Sequence, residues 1–348
     1  MNWTIHPIAG FERLAPTWNA VNDAAGGLPF LHARFVAPLC REFGDDHLKI
    51  ALCEDAESPV AIAILTSIGW GRWSTFQPSQ APLGAWVMRP GQDLGRALAG
   101  LARALPGFTL TIGLTQQDPD RVARPIDAPL LQTLDYIQTA RVAVSGSFED
   151  YWSARGKNLR HNMKRQRAKL AQDGVATRLE ILTRPHEVAP ALQDYGRLES
   201  AGWKASYGTA IHPDNAQGCF YRAIMEAYCD AGAGRIHRYW FGDRVVALDL
   251  CITGGDTLVI LKTTYDESNQ NVSPAFLMRE EAFRGLFAEQ TVRRIEFFGK
   301  VMDWHTRWTT ETRTLYHVTY YRSSLLPKLR SITGSLRGFT DAPADAGV

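Results

Sequence analysis

The sequence predicts an α/β fold with mixed β-sheets, arranged as two domains. A length of 348 residues suits about two domains of ordinary size. In the second half, apolar and β-branched runs at residues 235–241, 244–253 and 256–265 precede a helical pattern at 275–290 and a short strand at 294–298. The first half shows the same order of helices, strands, helix and strand, without a residue-level repeat.

The first domain is predicted to cover residues 1–144. Its predicted helices are 11–24, 30–43 and 94–105, and its predicted strands are 48–53, 60–70, 83–88, 108–114 and 133–144. A second domain is predicted over 145–330. The residues after Arg337 are small and polar, and we expect a flexible tail over 331–348.

Composition and charge exclude several classes of protein. A net charge of +2 does not indicate DNA or general nucleic-acid binding. The five cysteines are odd in number and lack C-x-x-C spacing, so neither a disulfide framework nor a metal site is predicted. The N-terminus lacks a signal-peptide pattern, and no apolar run reaches the ~18 residues of a membrane span. We therefore expect a cytoplasmic protein without a transmembrane segment or a metal cofactor, in an oligomeric state that stays open.

The most informative stretch is the loop between the third predicted strand and the helix of the second half. Residues 266–273 are polar and turn-rich, Ser273 is placed as the N-cap, and Pro274 occupies the first helical position. The first N–H groups of a helix lack partners, and its dipole favours an anion there. Neither a Walker pattern nor G-x-G-x-x-G is present. The loop therefore predicts either a phosphate seat or an ordinary β–α connection.

Residues of this stretch and of an earlier one carry a family resemblance. They are Leu198-Glu199-x-x-Gly202-Trp203-Lys204 with Gly208-Thr209-Ala210, and Tyr265-Asp266 with Ser273-Pro274 and Leu277, followed later by Glu296, Gly299 and Trp308. Over roughly residues 147–322 the chain resembles the CelD/BcsL-like branch of the GNAT acyltransferases, which is similar to the Fem-type aminoacyltransferases. It departs from the family pattern where Ala275 replaces the usual glycine, and where a lysine before the late tryptophan has no match.

The resemblance implies two tandem GNAT-like domains and a bacterial-type N-acyltransferase with acetyl-CoA or another acyl-CoA as co-substrate. The acceptor would be the amine of a small molecule, a glycan, a peptide or an envelope precursor. A β-bulge on the fourth strand would supply N–H donors beside the thioester. The implied contacts are Thr264 and Tyr265 for the thioester end, Asn271, Val272, Ser273 and Ala275 for the pyrophosphate, and Trp203 and Lys204 for the acceptor cleft.

A basic helix is predicted from Ser147, whose spacing to Asp150 is typical of a capping box, to Leu170. Such a charge run is usually a solvated face. The alternative is an anion-binding wall for CoA phosphates, an acidic glycan or peptide, or RNA, with Arg160 and Lys164 as substrate-binding candidates. The basic residues of this helix are Arg155, Lys157, Arg160, His161, Lys164, Arg165, Arg167 and Lys169.

Acyl transfer to an amine requires alignment, a neutral amine and a donor to the carbonyl oxygen. Asp249 lies in an apolar strand, where it would be either a desolvated proton acceptor or a residue of the solvent face, and Lys262 could pair with it across the strands. Glu296 takes the acidic place of the family. Tyr265 could protonate the leaving thiolate, and His305 has a suitable unperturbed pKa.

Two alternative functions stay open. One is a Fem-like aminoacyltransferase with an aminoacyl-tRNA donor, in which the basic helix would bind RNA. The other is a GNAT-like scaffold that binds a ligand without catalysis.

Overall fold

The structure is a computed structural model, and it describes residues 1–201, 211–269 and 271–327. The chain divides into two compact units. Unit 1 contains Met1–Thr139 and the chain from Arg313, and unit 2 contains Ala140–Thr312. The first crossing lies near the predicted domain boundary, whereas the chain from Arg313 joins unit 1 because its strand completes that sheet. The predicted tail, 331–348, lies outside the described residues.

Unit 1 is built on a mixed sheet. Its strands follow the spatial order β1-β2-β3-β4-β6-β13, with β5 paired to β3, and only the β4–β6 pair is parallel among the pairs described. The helices and strands are β1 (Asn2–Pro7), α1 (Phe11–Ala24), α2 (Ala33–Phe43), β2 (Lys49–Asp55), β3 (Ser58–Gly69), β4 (Arg72–Thr75), β5 (Trp86–Met88), α3 (Leu94–Ala104), β6 (Thr111–Gln117), β7 (Leu131–Ala143) and β13 (Thr312–Tyr321).

Unit 2 repeats this topology. Its strands follow the order β8-β9-β10-β11-β12-β7, and the β11–β12 pair is parallel. The helices and strands are α4 (Phe148–Ser153), α5 (Lys157–Gln172), β8 (Thr177–Leu182), α6 (Pro185–Ala201), α7 (Ala216–Asp230), β9 (Gly234–Phe241), β10 (Arg244–Gly254), β11 (Thr257–Tyr265), α8 (Pro274–Glu289), β12 (Arg294–Glu296) and α9 (Asp303–Thr306). In both units a helix connects the two parallel strands, and the predicted mixed-sheet α/β fold is confirmed.

The basic helix differs from its prediction, because two helices replace one. Ser147 caps α4 by accepting a hydrogen bond from the N–H of Asp150 (3.0 Å). The chain then breaks before Gly156, the N-cap of α5, and Arg155 donates to the carbonyl of Trp308 (2.6 Å). A tertiary hydrogen bond to the neighbouring loop therefore accompanies the interruption of the helical pattern.

The core of unit 2 orients α8 and α5. Leu277 and Met278 of α8 are fully buried, and they pack in one cluster with Leu159 and Met163 of α5 and Tyr239 of β9. Apolar residues at helical spacing thus place both helices against the same face of the sheet. This packing fixes the start of α8 beside the end of β11.

Candidate active site

Strands β11 and β12 diverge in the middle of the sheet of unit 2. Their parallel pairing runs from Thr257 opposite Arg294 to Val259 opposite Glu296, whereas β11 continues to Tyr265. The second half of β11 therefore has no β12 partner in the described pairing. We call this unpaired edge of β11 the groove. Its main-chain donors and acceptors could bind an extended ligand.

A β-bulge lies on β11 at the start of this groove. Leu250 pairs with Lys262, but Cys251 pairs with Ile260, so Leu261 is an extra residue on β11. A bulge leaves its extra residue out of the ladder and bends the strand, which redirects a main-chain N–H. The bulge that the resemblance implies on the fourth strand is present in the structure.

The N-terminus of α8 follows directly from β11. Ser273 occupies the N-cap, its side chain makes no capping hydrogen bond, and Pro274 begins the helix. The main-chain N–H of Ser273 donates to the Gln166 side chain of α5 (2.9 Å). Of the other implied phosphate contacts, Asn271 is exposed, whereas Val272 and Ala275 are buried. An anion here would meet a positive helix end, with the Ser273 amide already paired to a neutral side chain.

The loop between β11 and α8 begins with a compact turn at Asp266. The carboxylate of Asp266 accepts from the N–H (3.0 Å) and the hydroxyl (2.6 Å) of Ser268, and it pairs with Arg244 (2.7 Å). Partial burial opposes its ionisation, but the hydrogen bonds from Ser268 and the charge of Arg244 hold the pKa of Asp266 below its usual value. These contacts fix the direction in which the chain leaves β11.

An open pocket of about 450 Å³ lies at the first turn of α8. The guanidinium carbon of Arg307 is 5.7 Å from the ring centroid of Phe276, so the pocket combines a cation with an aromatic face. Its lining residues are Phe276, Val301, Met302, Asp303, Trp304 and Arg307.

A buried polar network lies between α8 and the sheet. Asp249 is fully buried, accepts a hydrogen bond from Thr263 (2.6 Å), and pairs with the equally buried Arg279 (3.4 Å). The interpretation of Asp249 as a residue of the solvent face is therefore wrong. Its role as a proton acceptor stays a prediction.

Lys262 does not pair with Asp249, because register places Thr263 opposite Asp249 and turns Lys262 to the other face of β11. There its ammonium lies 3.3 Å from Glu199 and 5.2 Å from the ring centroid of Tyr221. Glu199 also accepts from the N–H of Ile211 (2.8 Å). The sequence motif named Glu199 as part of a pattern, but its pairing with Lys262 was not predicted.

Tyr195 belongs to the same cluster on this second face. Its ring centroid is 5.9 Å from the Lys262 ammonium, and its buried hydroxyl lacks a hydrogen-bond partner within the described part of the chain. Burial raises the pKa of Tyr195 well above its usual value. The bulged strand thus carries a buried polar group on each face.

The other predicted catalytic residues are dispersed around the groove. Glu296 is buried on β12, opposite Val259. Tyr265 ends β11 with 45% exposure, and Thr264 is buried beside it. His305 is not an exposed loop residue but a buried residue of α9, and burial lowers its pKa to about 3. The prediction of an ordinary pKa for His305 is therefore wrong.

The predicted substrate contacts fall in two regions. Arg160 on α5 donates to the carbonyl of Arg155 (3.1 Å), and Lys164 is exposed on the same helix. Trp203 and Lys204 lie outside the described residues.

Two further findings concern residues 1–201, 211–269 and 271–327. No group of histidine, cysteine and carboxylate side chains there could hold a metal ion. None of the helices there has the length and apolarity needed to cross a bilayer.

The comparisons with known proteins agree with this geometry. Residues 157–306 match the family model described as an acetyltransferase (GNAT) domain. The matched residues, which make up most of unit 2, therefore have the sequence pattern of a GNAT domain. The narrower CelD/BcsL-like branch stays a prediction. No curated protein matches the sequence.

Solved structures share the fold over nearly the whole chain. FemX is 8% identical, covers 94% of this chain and 99% of its own, and has a TM-score of 0.58. A conserved protein of unknown function from Bacteroides thetaiotaomicron is 10% identical, with 92% and 99% coverage and a TM-score of 0.56. L-PGS from Bacillus licheniformis is 12% identical, with 92% and 96% coverage and a TM-score of 0.51. These similarities show a common fold.

Proposed function

We propose that the chain is a cytoplasmic acyl-CoA-dependent N-acyltransferase whose thioester lies along the second half of β11. The observation that carries the proposal is the divergence of β11 from β12 beyond Val259, together with the bulge at Leu261. The main-chain N–H groups of an unpaired, bulged strand suit both an extended thioester arm and the oxygen of its carbonyl group.

The N-terminus of α8 supports a seat for the diphosphate of the donor. Ser273 is exposed at the N-cap, and Asn271, Val272 and Ala275 surround it in sequence. The helix dipole favours negative charge at this end. Arg307, which lines the neighbouring pocket with Phe276, adds a cation.

In the proposed reaction, the amine nitrogen attacks the thioester carbonyl carbon directly. A C–N bond forms, the C–S bond breaks, and the thiolate leaves with a proton that Tyr265 can supply from the end of β11. The amine must lose its own proton, and the buried carboxylates Asp249 and Glu296 are the proposed acceptors. No metal is needed for these steps.

The acceptor is proposed to be a small molecule or a glycan or peptide with a primary amine. It would approach along the unpaired second half of β11, next to the proposed thioester site. Trp203 and Lys204 stay predicted contacts of the acceptor.

One observation favours a second donor, an aminoacyl-tRNA. Helix α5 exposes five basic side chains to solvent, which gives it a positive face suited to phosphates. They are Lys157, His161, Lys164, Arg165 and Lys169, of which Lys169 pairs with Asp173.

The substitution Ser273→Asp tests the acyl-CoA proposal, with Ser273→Asn as its matched control. Both residues are good N-caps, so both variants should fold. The aspartate places a negative charge at the proposed diphosphate seat, and we expect the Kd for acetyl-CoA to rise about tenfold or more. The asparagine variant should bind within about threefold of the wild type, as measured by isothermal titration calorimetry.

Thermal shift assays with acetyl-CoA, longer acyl-CoAs and bulk tRNA separate the donors. A ligand at a hundred times its Kd stabilises the fold by about 2.7 kcal/mol. Equal acyl-CoA affinity in both Ser273 variants would contradict a diphosphate site at the N-terminus of α8. Stabilisation by tRNA but by none of the thioesters would favour the second donor.

A further inference from the structure

Unit 1 exposes aromatic side chains at one end of its sheet. The turn between β3 and β4 carries Trp70, which is 80% exposed, and Ile68 precedes it with 39% exposure. Phe108, in the loop between α3 and β6, is 57% exposed. We call Ile68, Trp70 and Phe108 the aromatic tip.

Main-chain contacts hold the two loops of the aromatic tip together. The carbonyl of Gly71 accepts from the N–H groups of Leu110 (2.6 Å) and Thr111 (3.1 Å). A Cβ atom on Gly71 would lie 2.7 Å from the carbonyl oxygen of Phe108, and the φ of Gly71 is +65°, so this position requires glycine. The exposure of both rings is therefore built into the backbone of unit 1.

Positive charge surrounds the aromatic tip. The guanidinium carbon of Arg322 is 4.5 Å from the ring centroid of Phe108, and its main-chain N–H donates to the carbonyl of Leu110 (2.9 Å). Arg72 follows the turn, and Arg103 is exposed at the end of α3. The residues nearest the aromatic tip in the sequence, 66–75, 103–113 and 319–327, contain no aspartate or glutamate.

These features define the chemistry of a partner. Tryptophan and phenylalanine beside arginine are the side chains that favour the headgroup region of a bilayer, and arginine is attracted to anionic lipid. We propose that the aromatic tip docks unit 1 peripherally onto a membrane surface that carries anionic lipid.

Co-sedimentation of the full chain with vesicles tests this docking. Vesicles of phosphatidylcholine mixed with phosphatidylglycerol are compared with vesicles of phosphatidylcholine alone. The wild type should bind the anionic vesicles more strongly. The double variant Trp70→Ser with Phe108→Ser should lower its partition coefficient at least about tenfold, because the rings supply the buried apolar area.

Ile126→Ser is the matched control for apolar loss. Ile126 is 92% exposed in the same unit, but it lies outside the aromatic tip. This variant should bind vesicles as the wild type does. Arg72→Gln and Arg322→Gln should each weaken binding to anionic vesicles about fivefold, and Arg322→Lys should retain most of it.

Three results would overturn the proposal. The wild type could fail to sediment with anionic vesicles, or the double variant could sediment as the wild type does. Sedimentation velocity could instead show a dimer that Trp70→Ser dissolves, in which case the aromatic tip is an interface between copies of the chain. Far-UV circular dichroism and thermal melting identify any variant that fails to fold, and Trp70→Ser alone then replaces the double variant.

Discussion

His305 shows how burial and one hydrogen bond decide what an imidazole can do. Its Nδ1 accepts from the main-chain N–H of Met302 (2.9 Å), so the neutral ring carries its proton on Nε2. The ring stacks on Trp304 with 3.5 Å between centroids. Burial, together with the charge of Arg279, lowers the pKa of His305 to about 3. At neutral pH His305 therefore carries an N–H group at Nε2, which has no acceptor among the described residues.

This lowered pKa predicts a loss of stability in acid. The unfolded state binds a proton near pH 6.5 and the folded state only near pH 3, so His305 contributes stability that is present above pH 6.5 and lost as the pH falls towards 3. His305→Asn keeps an acceptor for the Met302 amide but does not titrate. Between pH 7 and pH 5, the free energy of unfolding should fall by about 2 kcal/mol more in the wild type than in this variant.

Urea unfolding at both pH values measures the difference. His237 provides an internal reference, because burial lowers its pKa to about 4 and it remains in both proteins. It should give both proteins a shared loss of stability in acid. Equal losses in wild type and variant would mean that His305 takes up its proton in the folded state.

Sequence reasoning reached Asp249 but not Arg279. Asp249 was recognisable because it interrupts an apolar strand, but the sequence left both burial and the solvent face open, and the structure shows that it is buried. Arg279 lies in the pattern of α8, where a basic residue usually reaches solvent. The burial of Arg279 depends on its ion pair with Asp249 on β10. Pairing between distant segments leaves no signal in the local sequence. One member of this ion pair, Asp249, was therefore identifiable from the sequence, and the other, Arg279, was not.

Helix α5 holds α8 through a three-residue cluster of charges. Arg167 donates to Glu281 (2.7 Å) and to Glu280 (2.9 Å), both on α8. Burial opposes the charge of Arg167, but the hydrogen bonds with Glu281 and Glu280 raise its pKa. The neighbouring Gln166 accepts from the amide of Ser273. Part of the positive charge of α5 therefore holds α8 in place, and the N-terminus of α8 is the proposed diphosphate site.

Loss of this cluster should destabilise unit 2. Arg167→Ala leaves two partly buried carboxylates without their guanidinium, and we expect a loss of about 2 kcal/mol. Lys169→Ala is the matched control, because Lys169 pairs with Asp173 at an exposed place, and it should cost less than about 0.5 kcal/mol. Equal urea midpoints for the two variants would contradict a stabilising role for Arg167.

Helices and strands with a strong periodic pattern were predicted well, whereas breaks that depend on tertiary contacts were not. The strands β9 to β11 and the start of α8 at Pro274 follow the sequence prediction closely. Strand β4 was not predicted, because four residues carry too little pattern to be distinguished from a loop. The break before α5 was missed for a different reason, since it coincides with the contact between Arg155 and Trp308.

In the whole molecule, the strand order of each unit includes a strand that lies far from its neighbours in the sequence. Strand β13 pairs with β6 in unit 1, and the last residues of β7 pair with β12 in unit 2. Tyr316 and Val318 of β13 are fully buried, and Arg313 forms an ion pair with the buried Asp118 (2.7 Å). Unit 1 therefore needs residues that follow unit 2.

A chain ending at Glu311 should lose the cooperative unfolding of unit 1. It lacks the buried side chains of β13 and leaves β6 as an open edge, so we expect a loss of about 5–10 kcal/mol, the whole stability of a typical domain. A chain ending at Pro327 is the control and should unfold as the full chain does. Limited proteolysis with mass spectrometry locates the loss. Protection of residues 1–139 in the shorter chain would contradict this prediction.

The repeated order of elements was visible in the sequence, but the exchange of closing strands was not. Patterns of period 2 and 3.6 identify strands and helices locally. They do not specify which strand lies beside which, because that choice depends on packing over the whole fold. The predicted second domain, 145–330, therefore includes β13, which the structure places in unit 1.

The position of β13 also determines the order in which the two units can be completed during translation. Unit 2 can close once its residues up to Thr312 have left the ribosome, because β7 is already made. Unit 1 must wait while translation proceeds from Gln117 to Thr312, which takes ~10–40 s at ordinary elongation rates. Unit 1, which is translated first, is thus completed last. During that interval the unpaired edge of β6 is exposed to chaperones and to chains on neighbouring polysomes.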